Sequence, residues 1–207
     1  MRLILVRHGE SEGNAAGVFQ GRIEYGLTAR GRLQAERAAA RLAGAAIDRL
    51  VSSPQRRALE TAAVLSAQAG LVPETVEELA EYDIGAPSGL TPAEIRARFP
   101  GVLEAQRRGE PVRFPGEEGR EAFAARVRSL LERLTRLDGT TVAVTHGGVV
   151  AAVCHLVLGA DLHRRGTFRV GNCSFTEVVR DGRGRLVIVR HNDTCHLDGL
   201  ATFADRG

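Results

Sequence analysis

Not one lysine occurs among the 207 residues: all 28 basic side chains are arginine. Chemistry that runs through a lysine is thereby excluded, whether a Schiff base, a pyridoxal-phosphate linkage or the lysine of a phosphate-cradling Walker loop. Cysteine is scarce as well. Cys154, Cys173 and Cys195 are odd in number, widely spaced and without a CxxC pair, so neither a disulfide framework nor a thiolate zinc site is indicated, and a reducing compartment fits. Long hydrophobic runs are missing. Leu3 to Val6 is too short for the core of a signal peptide, and Val149 to Ala160 falls short of the ~20 residues that cross a bilayer. These absences predict a cytoplasmic protein with no membrane partner. Positive charge is also less abundant than it looks. Against 25 acids the arginines leave a formal charge of +3, and arginine does not titrate, so the pI of 9.1 overstates the basicity. Nucleic acid is not the expected partner. A guanidinium fork does match phosphate and carboxylate groups, which favours a small anionic substrate.

What is present suits one domain over residues 1–207: 43% of the chain is hydrophobic and 26% charged. Arg2 to Val6 reads as a buried strand emptying into Arg7-His8-Gly9. Thr28 caps a helix with Leu33, Ala35, Ala38, Ala39 and Leu42 on its apolar face and Gly44 as its stop. Ile47 to Ser52 is the next strand. Pro54 opens a helix carrying Ala58, Thr61, Ala62 and Leu65, which runs to Gly70. Between Ile84 and Glu118 the pattern breaks up: Thr91-Pro92 starts a short helix, Pro100 ends it, and the segment 84–118 reads as a small helical cap insertion. Arg120 to Leu137 is an amphipathic helix, Thr140 to Thr145 a strand, and Gly147-Gly148 leads into an apolar helix through Leu158. Phe175 to Val179 and Leu186 to Val189 flank Asp181-Gly182-Arg183-Gly184 as a hairpin. The alternation predicts an α/β fold, a three-layer α/β/α sandwich whose mainly parallel sheet has an antiparallel edge.

In open α/β sheets ligands bind beyond the carboxyl ends of the strands. Arg7-His8, Arg56-Arg57 and His146 stand at such places, with Gly9, Gly147 and Gly148 leaving room for close approach. Two arginines and two histidines make a pocket for a phosphoryl group.

Four blocks sharpen this reading: Arg7-His8-Gly9-Glu10-Ser11-Glu12-Gly13-Asn14; Ser52-Ser53 with Arg57-Ala58 and Thr61-Ala62; Leu79-Ala80-Glu81; and Thr145-His146-Gly147-Gly148. In this order they resemble the histidine phosphatase superfamily, also called the phosphoglycerate-mutase-like family, in its phosphatase branch. The resemblance implies that His8 attacks phosphorus and becomes a phosphohistidine that water later hydrolyses, its other ring nitrogen holding a proton against a backbone carbonyl. It further implies that Arg7 and Arg57 clamp the non-bridging oxygens while His146 adds a donor, a cluster that replaces a metal ion; no metal or other cofactor is expected. Asn14, Gln20 and Gly21 would donate to the phosphate, and Glu81 would protonate the leaving oxygen and then activate water. Of the arginine pair, the register with Ala58, Thr61 and Ala62 turns Arg57 inward and leaves Arg56 on the surface. Glu81 has acidic neighbours in Glu77, Glu78 and Asp83, and Glu10, Ser11 and Glu117 are either supporting residues or polar loop.

Arg22 and Tyr25 near the mouth either read the rest of the substrate or are exposed loop residues, and Gly147 belongs to the same binding set. His155 on its apolar helix reads as core, His163 beside Arg164-Arg165 as loop, and His191 to His196 as a tail packed near the site. No histidine, cysteine and acid spacing resembles a zinc or calcium motif. Gly85-Ala86-Pro87-Ser88-Gly89 keeps the glycines of the Gly-x-Trp-Glu-Gly segment of many phosphatase members without its aromatic and acid. The expected activity is hydrolysis of small phosphorylated metabolites. A phosphoglycerate mutase is the alternative within enzymes, disfavoured because Asp83 follows the acid where a second phosphate would be repelled. Outside enzymes the alternative is a non-catalytic phospho-ligand or RNA-binding module. The sequence also allows a homodimer.

Overall fold

The computed structural model describes residues 1–110, 112–160 and 167–200; Pro111 and the expected loop residues His163, Arg164 and Arg165 lie outside them. Strand β1 (Arg2–Arg7) is apolar on both sides, and its two sides belong to different cores. Leu3 and Leu5 join a cluster with Val127, Leu130, Leu134, Val149 and Val153. Ile4 and Val6 join another with Ala35, Ala38, Ala58, Ala62 and Leu65. With a side-chain period of two, such a strand is stable only between two helical layers.

Those layers follow in chain order. Beyond β1 comes α1 (Glu12–Ala15), one helical turn with a capping box between Ser11 and Asn14, which the apolar pattern does not announce. Helix α2 (Ala29–Leu42) is capped by Thr28 as expected, and β2 (Arg49–Ser52), α3 (Arg56–Ala69) and the two-residue β3 (Glu74–Thr75) come next. The segment 84–118 contributes α4 (Pro92–Arg98) and α5 (Pro100–Arg107). Then come α6 (Arg120–Thr135), β4 (Thr140–Thr145), α7 (Gly147–Leu158) and the hairpin of β5 (Phe175–Arg180) and β6 (Leu186–Asp193). The sheet order is β3-β2-β4-β1-β5-β6. β1–β4, β2–β4 and β2–β3 pair in parallel, and β1–β5 and β5–β6 antiparallel. Helices α2 and α3 cover one face and α6 and α7 the other, which is the expected three-layer sandwich with an antiparallel edge.

Four local expectations need correction. Leu33 is 40% exposed, because Gln34 takes the inward position and its Oε1 accepts the Glu10 amide at 2.8 Å. Pro100 ends α4 but also opens α5 at its first turn, where a missing N–H costs nothing. The second strand starts at Arg49, not Ile47, and α3 starts at Arg56 behind Gln55, leaving Pro54 outside its first turn.

The register places the chemistry. Arg7 of β1 lies beside Thr145 of β4, so the next residues, His8 and His146, leave the sheet side by side, and β2 ends beside them with Ser52 opposite Val144. The loop after β1 then presses its backbone on the first turn of α2: a Cβ added at Gly31 would lie 2.0 Å from the Glu10 carbonyl oxygen. Backbone cannot retreat as a side chain can, so Gly31→Ala is expected to cost at least about 2 kcal/mol. Gly101→Ala in α5, whose Cβ would meet nothing within 4 Å, should be neutral or gain up to ~1 kcal/mol. Urea unfolding midpoints of the two variants check this, and equal effects would contradict the close contact.

Candidate active site

His8, just past β1, is 3% exposed, and its Nδ1 lies 2.7 Å from the Gly9 carbonyl oxygen. A carbonyl only accepts, so Nδ1 carries the proton and Nε2 is left with its lone pair. Burial, then the fields of Arg57 and Arg7, push the ring's pKa well below the ordinary histidine value, and His8 is neutral at pH 7. Its Nε2 is therefore a nucleophile without a base to activate it.

The pocket beside His8 has a volume of about 390 Å³, and Arg7, Asn14, Gln20, Gly21, Arg57 and Glu81 share its wall. Arg57 is 1% exposed and donates through Nη1 to the Ile23 carbonyl at 2.8 Å and through Nη2 to the Gly21 carbonyl at 2.9 Å. Arg56 instead points to solvent and pairs with Glu60, so the inward register is the one expected. Arg7 donates to the Val170 carbonyl; burial lowers its pKa to about 10 against the opposing field of Glu81, which leaves it charged at neutral pH. Burial lowers Arg57 likewise, with Glu81 and Glu24 opposing. Asn14 accepts through Oδ1 from the Ser11 amide and from Asn172 Nδ2, both at 3.2 Å, and Gln20 accepts through Oε1 from Ser11 Oγ at 2.7 Å. With their oxygens taken, what both amides have left to offer a ligand is their NH2 groups, which donate.

Glu81 lies on the same pocket, its two oxygens accepting the amides of Tyr82 at 2.8 Å and Gly148 at 3.1 Å. His146 sits behind His8, with ring centroids 5.1 Å apart, and is fully buried. Its Nε2 is 2.7 Å from Ser53 Oγ, and Nδ1 has no partner among the described residues. That nitrogen is buried, and His146 itself is not on the pocket wall. Burial first, then Arg57, His8 and Arg7, keep this ring neutral too. Among the described residues no group of three histidines, cysteines or acids is placed to hold a metal ion.

Four expected residues are off the pocket wall: His146, which lies behind His8, and three more. Arg22 is half exposed and lies 3.6 Å from Glu118, not on the pocket wall. Gly147 sits against the Arg7 side chain, and the next residue, Gly148, is the one that lines the pocket. Asp83 accepts the Gly85 amide at 2.9 Å and is not on the pocket wall, so it is not placed to repel a second phosphate there. His155 is core, packed edge-on against Phe168 at 4.9 Å.

Four supporting residues escape sequence reasoning. Gln55 donates to the Gly21 carbonyl at 3.0 Å and accepts the Glu81 amide at 2.7 Å, tying the Gly21 loop to Glu81. Arg126 of α6 donates to the carbonyls of Glu78 and Ala80 at 2.7 and 2.8 Å and pairs with Glu118. Asn172 donates to the His8 carbonyl at 3.0 Å, and Ser53 meets His146. Only Ser53 carried a signal, as part of the Ser52-Ser53 block.

The sequence model of the histidine phosphatase superfamily (branch 1) matches residues 3–194. Phosphoserine phosphatase 1 of Hydrogenobacter thermophilus is 34% identical over 203 residues, covering 95% of this chain and 94% of its own. Glucosyl-3-phosphoglycerate phosphatase of Mycobacterium tuberculosis is 34% identical over 188 residues, covering 86% and 84%. A mycobacterial glucosyl-3-phosphoglycerate phosphatase solved with VO3 superposes with a TM-score of 0.81 at 32% identity over 92% of this chain and 98% of that one. Matched over residues 3–194, with a buried histidine sharing its pocket with two buried arginines, the chain belongs to the histidine phosphatase superfamily.

Proposed function

We propose that the protein hydrolyses small phosphomonoesters through a phosphohistidine on His8, with Arg7 and Arg57 supplying the charge that a metal ion supplies in other phosphatases. The observation that carries this is the His8 ring: its Nδ1–H donates to Gly9, and Nε2 shares a pocket with both guanidinium groups and Glu81. In the first step Nε2 forms a bond to phosphorus as the ester P–O bond breaks, and the departing alkoxide takes its proton through the Glu81 carboxyl. In the second, water gives a proton to the Glu81 carboxylate and attacks phosphorus, breaking the P–N bond and releasing phosphate. Charge grows on the non-bridging oxygens in both, where the arginines and the amides of Asn14 and Gln20 are donors, with His146 packed behind His8. Arg57 exchanges its bonds to Gly21 and Ile23 for these. The segment 84–118 serves as a cap over the site, and the free thiols suit a cytoplasmic setting.

His8→Ala is expected to abolish turnover, while EDTA leaves the wild type unchanged and vanadate inhibits it. A radiolabelled ester should leave acid-labile label on His8 alone; label elsewhere, or activity lost in EDTA and restored by a divalent ion, would overturn the mechanism. Arg57→Ala should lose at least ~2 kcal/mol more transition-state stabilisation than Arg56→Ala, read from kcat/KM. Glu81→Gln should slow alkyl phosphates far more than p-nitrophenyl phosphate, whose phenolate leaves without a proton. Equal losses on the two would assign the acid to another residue.

A further inference from the structure

The phosphate pocket continues beyond His8. Phe19, Tyr82, Ile84 and Pro92 wall it on one side, and the same four residues wall a second cavity of about 260 Å³. The lining there is largely apolar, from Pro87, Ile95, Leu103 and Phe114, with Phe99 packed edge-on behind Phe114 at 5.4 Å. Arg96 and Arg107 also line it, and both are exposed, which places them at the rim.

These two differ from the other arginines of the segment. Arg108 pairs with Glu110 at 2.6 Å, Arg113 pairs with Glu121 at 3.4 Å, and Arg98 lies in the field of Glu94. Arg96 and Arg107 have no ion-pair or hydrogen-bond partner among the described residues. One carboxylate, Glu117, is in the cavity wall, but the Tyr82 hydroxyl donates to its Oε1 and the Phe114 amide to its Oε2 at 2.8 Å. It is thus tied into the wall. The cavity joins an apolar floor to two unmatched cations, a combination that recognises an apolar body carrying an anion.

We propose that the substrate's leaving group is an extended, largely apolar alcohol that ends in a carboxylate or a second phosphate, seated in this second cavity with Arg96 and Arg107 binding the anion. The proposal rests on the phosphatase reading, because it assigns the atoms beyond the scissile oxygen. A short ester fills only the first cavity and leaves both arginines in water. A longer one removes apolar surface from water along Ile95, Leu103 and Phe114 before its anion reaches the rim.

The test compares hexyl phosphate with its ω-carboxylate counterpart, phosphonooxyhexanoate, and with the ω-phosphate. All three release alcohols of ordinary acidity, so departure is equally demanding. The anionic esters should show kcat/KM about tenfold above hexyl phosphate, and the Arg96→Gln/Arg107→Gln double variant should bring that ratio close to unity with hexyl phosphate unchanged. The larger drop identifies carboxylate or phosphate as the anion. A wild type that does not discriminate, or a preference that survives the double substitution, overturns the proposal. Binding of the same esters to His8→Ala needs no turnover and separates the two readings. Arginine-dependent preference in binding without wild-type hydrolysis would overturn the phosphatase reading and keep the subsite; hydrolysis without preference would do the reverse.

Discussion

Two guanidinium cations buried beside a histidine that must stay neutral are the constraint on which the rest of this structure depends. Arg7 and Arg57 are 8% and 1% exposed, and removing such charges from water is costly unless hydrogen bonds replace the lost hydration. Here backbone carbonyls do so, from Val170 for Arg7 and from Gly21 and Ile23 for Arg57. Carbonyls solvate a cation without neutralising it, so positive potential remains in the pocket. That potential attracts a phosphate dianion and disfavours a proton on His8, which is what a nucleophilic imidazole requires. In the proposed reaction one arrangement thus binds the substrate and readies the attacking atom.

Holding His8 against this field needs a rigid backbone, and the C-terminal part of the chain provides it. Cys173 is among the non-glycine residues with left-handed backbone, at φ 51°, and its amide donates to the Arg7 carbonyl at 2.9 Å. A residue stays in that conformation only where its surroundings impose it. They do: Asn192 accepts the Gly171 amide at 2.6 Å, and His196 Nε2 lies 3.0 Å from the Cys173 carbonyl. Asn172, between these anchors, reaches the His8 carbonyl and Asn14. The tail read as packing near the site therefore acts through the 171–173 turn.

Which features could be read from the sequence follows from how far apart the interacting residues are. β1, α3 and β4 carry their own periodicity, and the turn of Arg57 toward Ala58, Thr61 and Ala62 is a property of one helix, so both the sandwich and the inward arginine were legible. Asn172 meets His8 across 164 positions and Arg126 meets Ala80 across 46. Neither has a neighbour in sequence that hints at its partner. Leu33 shows the converse failure. Its hydrophobicity favours the buried face, but Gln34 wins that position because the Glu10 amide needs an acceptor where water cannot reach.

The same distances separate the chemistry from the choice of substrate. Glu81 is fixed by Gln55, by Gly148 and by Arg126 holding the carbonyls just before it, all outside the segment 84–118. That segment leaves and returns at one point: the Glu118 amide donates to the Asp83 carbonyl at 3.0 Å, and Ala86 donates to Pro115 at 2.8 Å. Gly85 permits the closure, since a Cβ there would lie 2.2 Å from the Pro115 oxygen. An excursion closed at its base transmits little of its own sequence change to the acid below. The absence of an aromatic and an acid after Gly85 therefore shapes the cavity that faces the leaving group, with Pro87 in its wall, while Glu81 stays held by Gln55, Gly148 and Arg126.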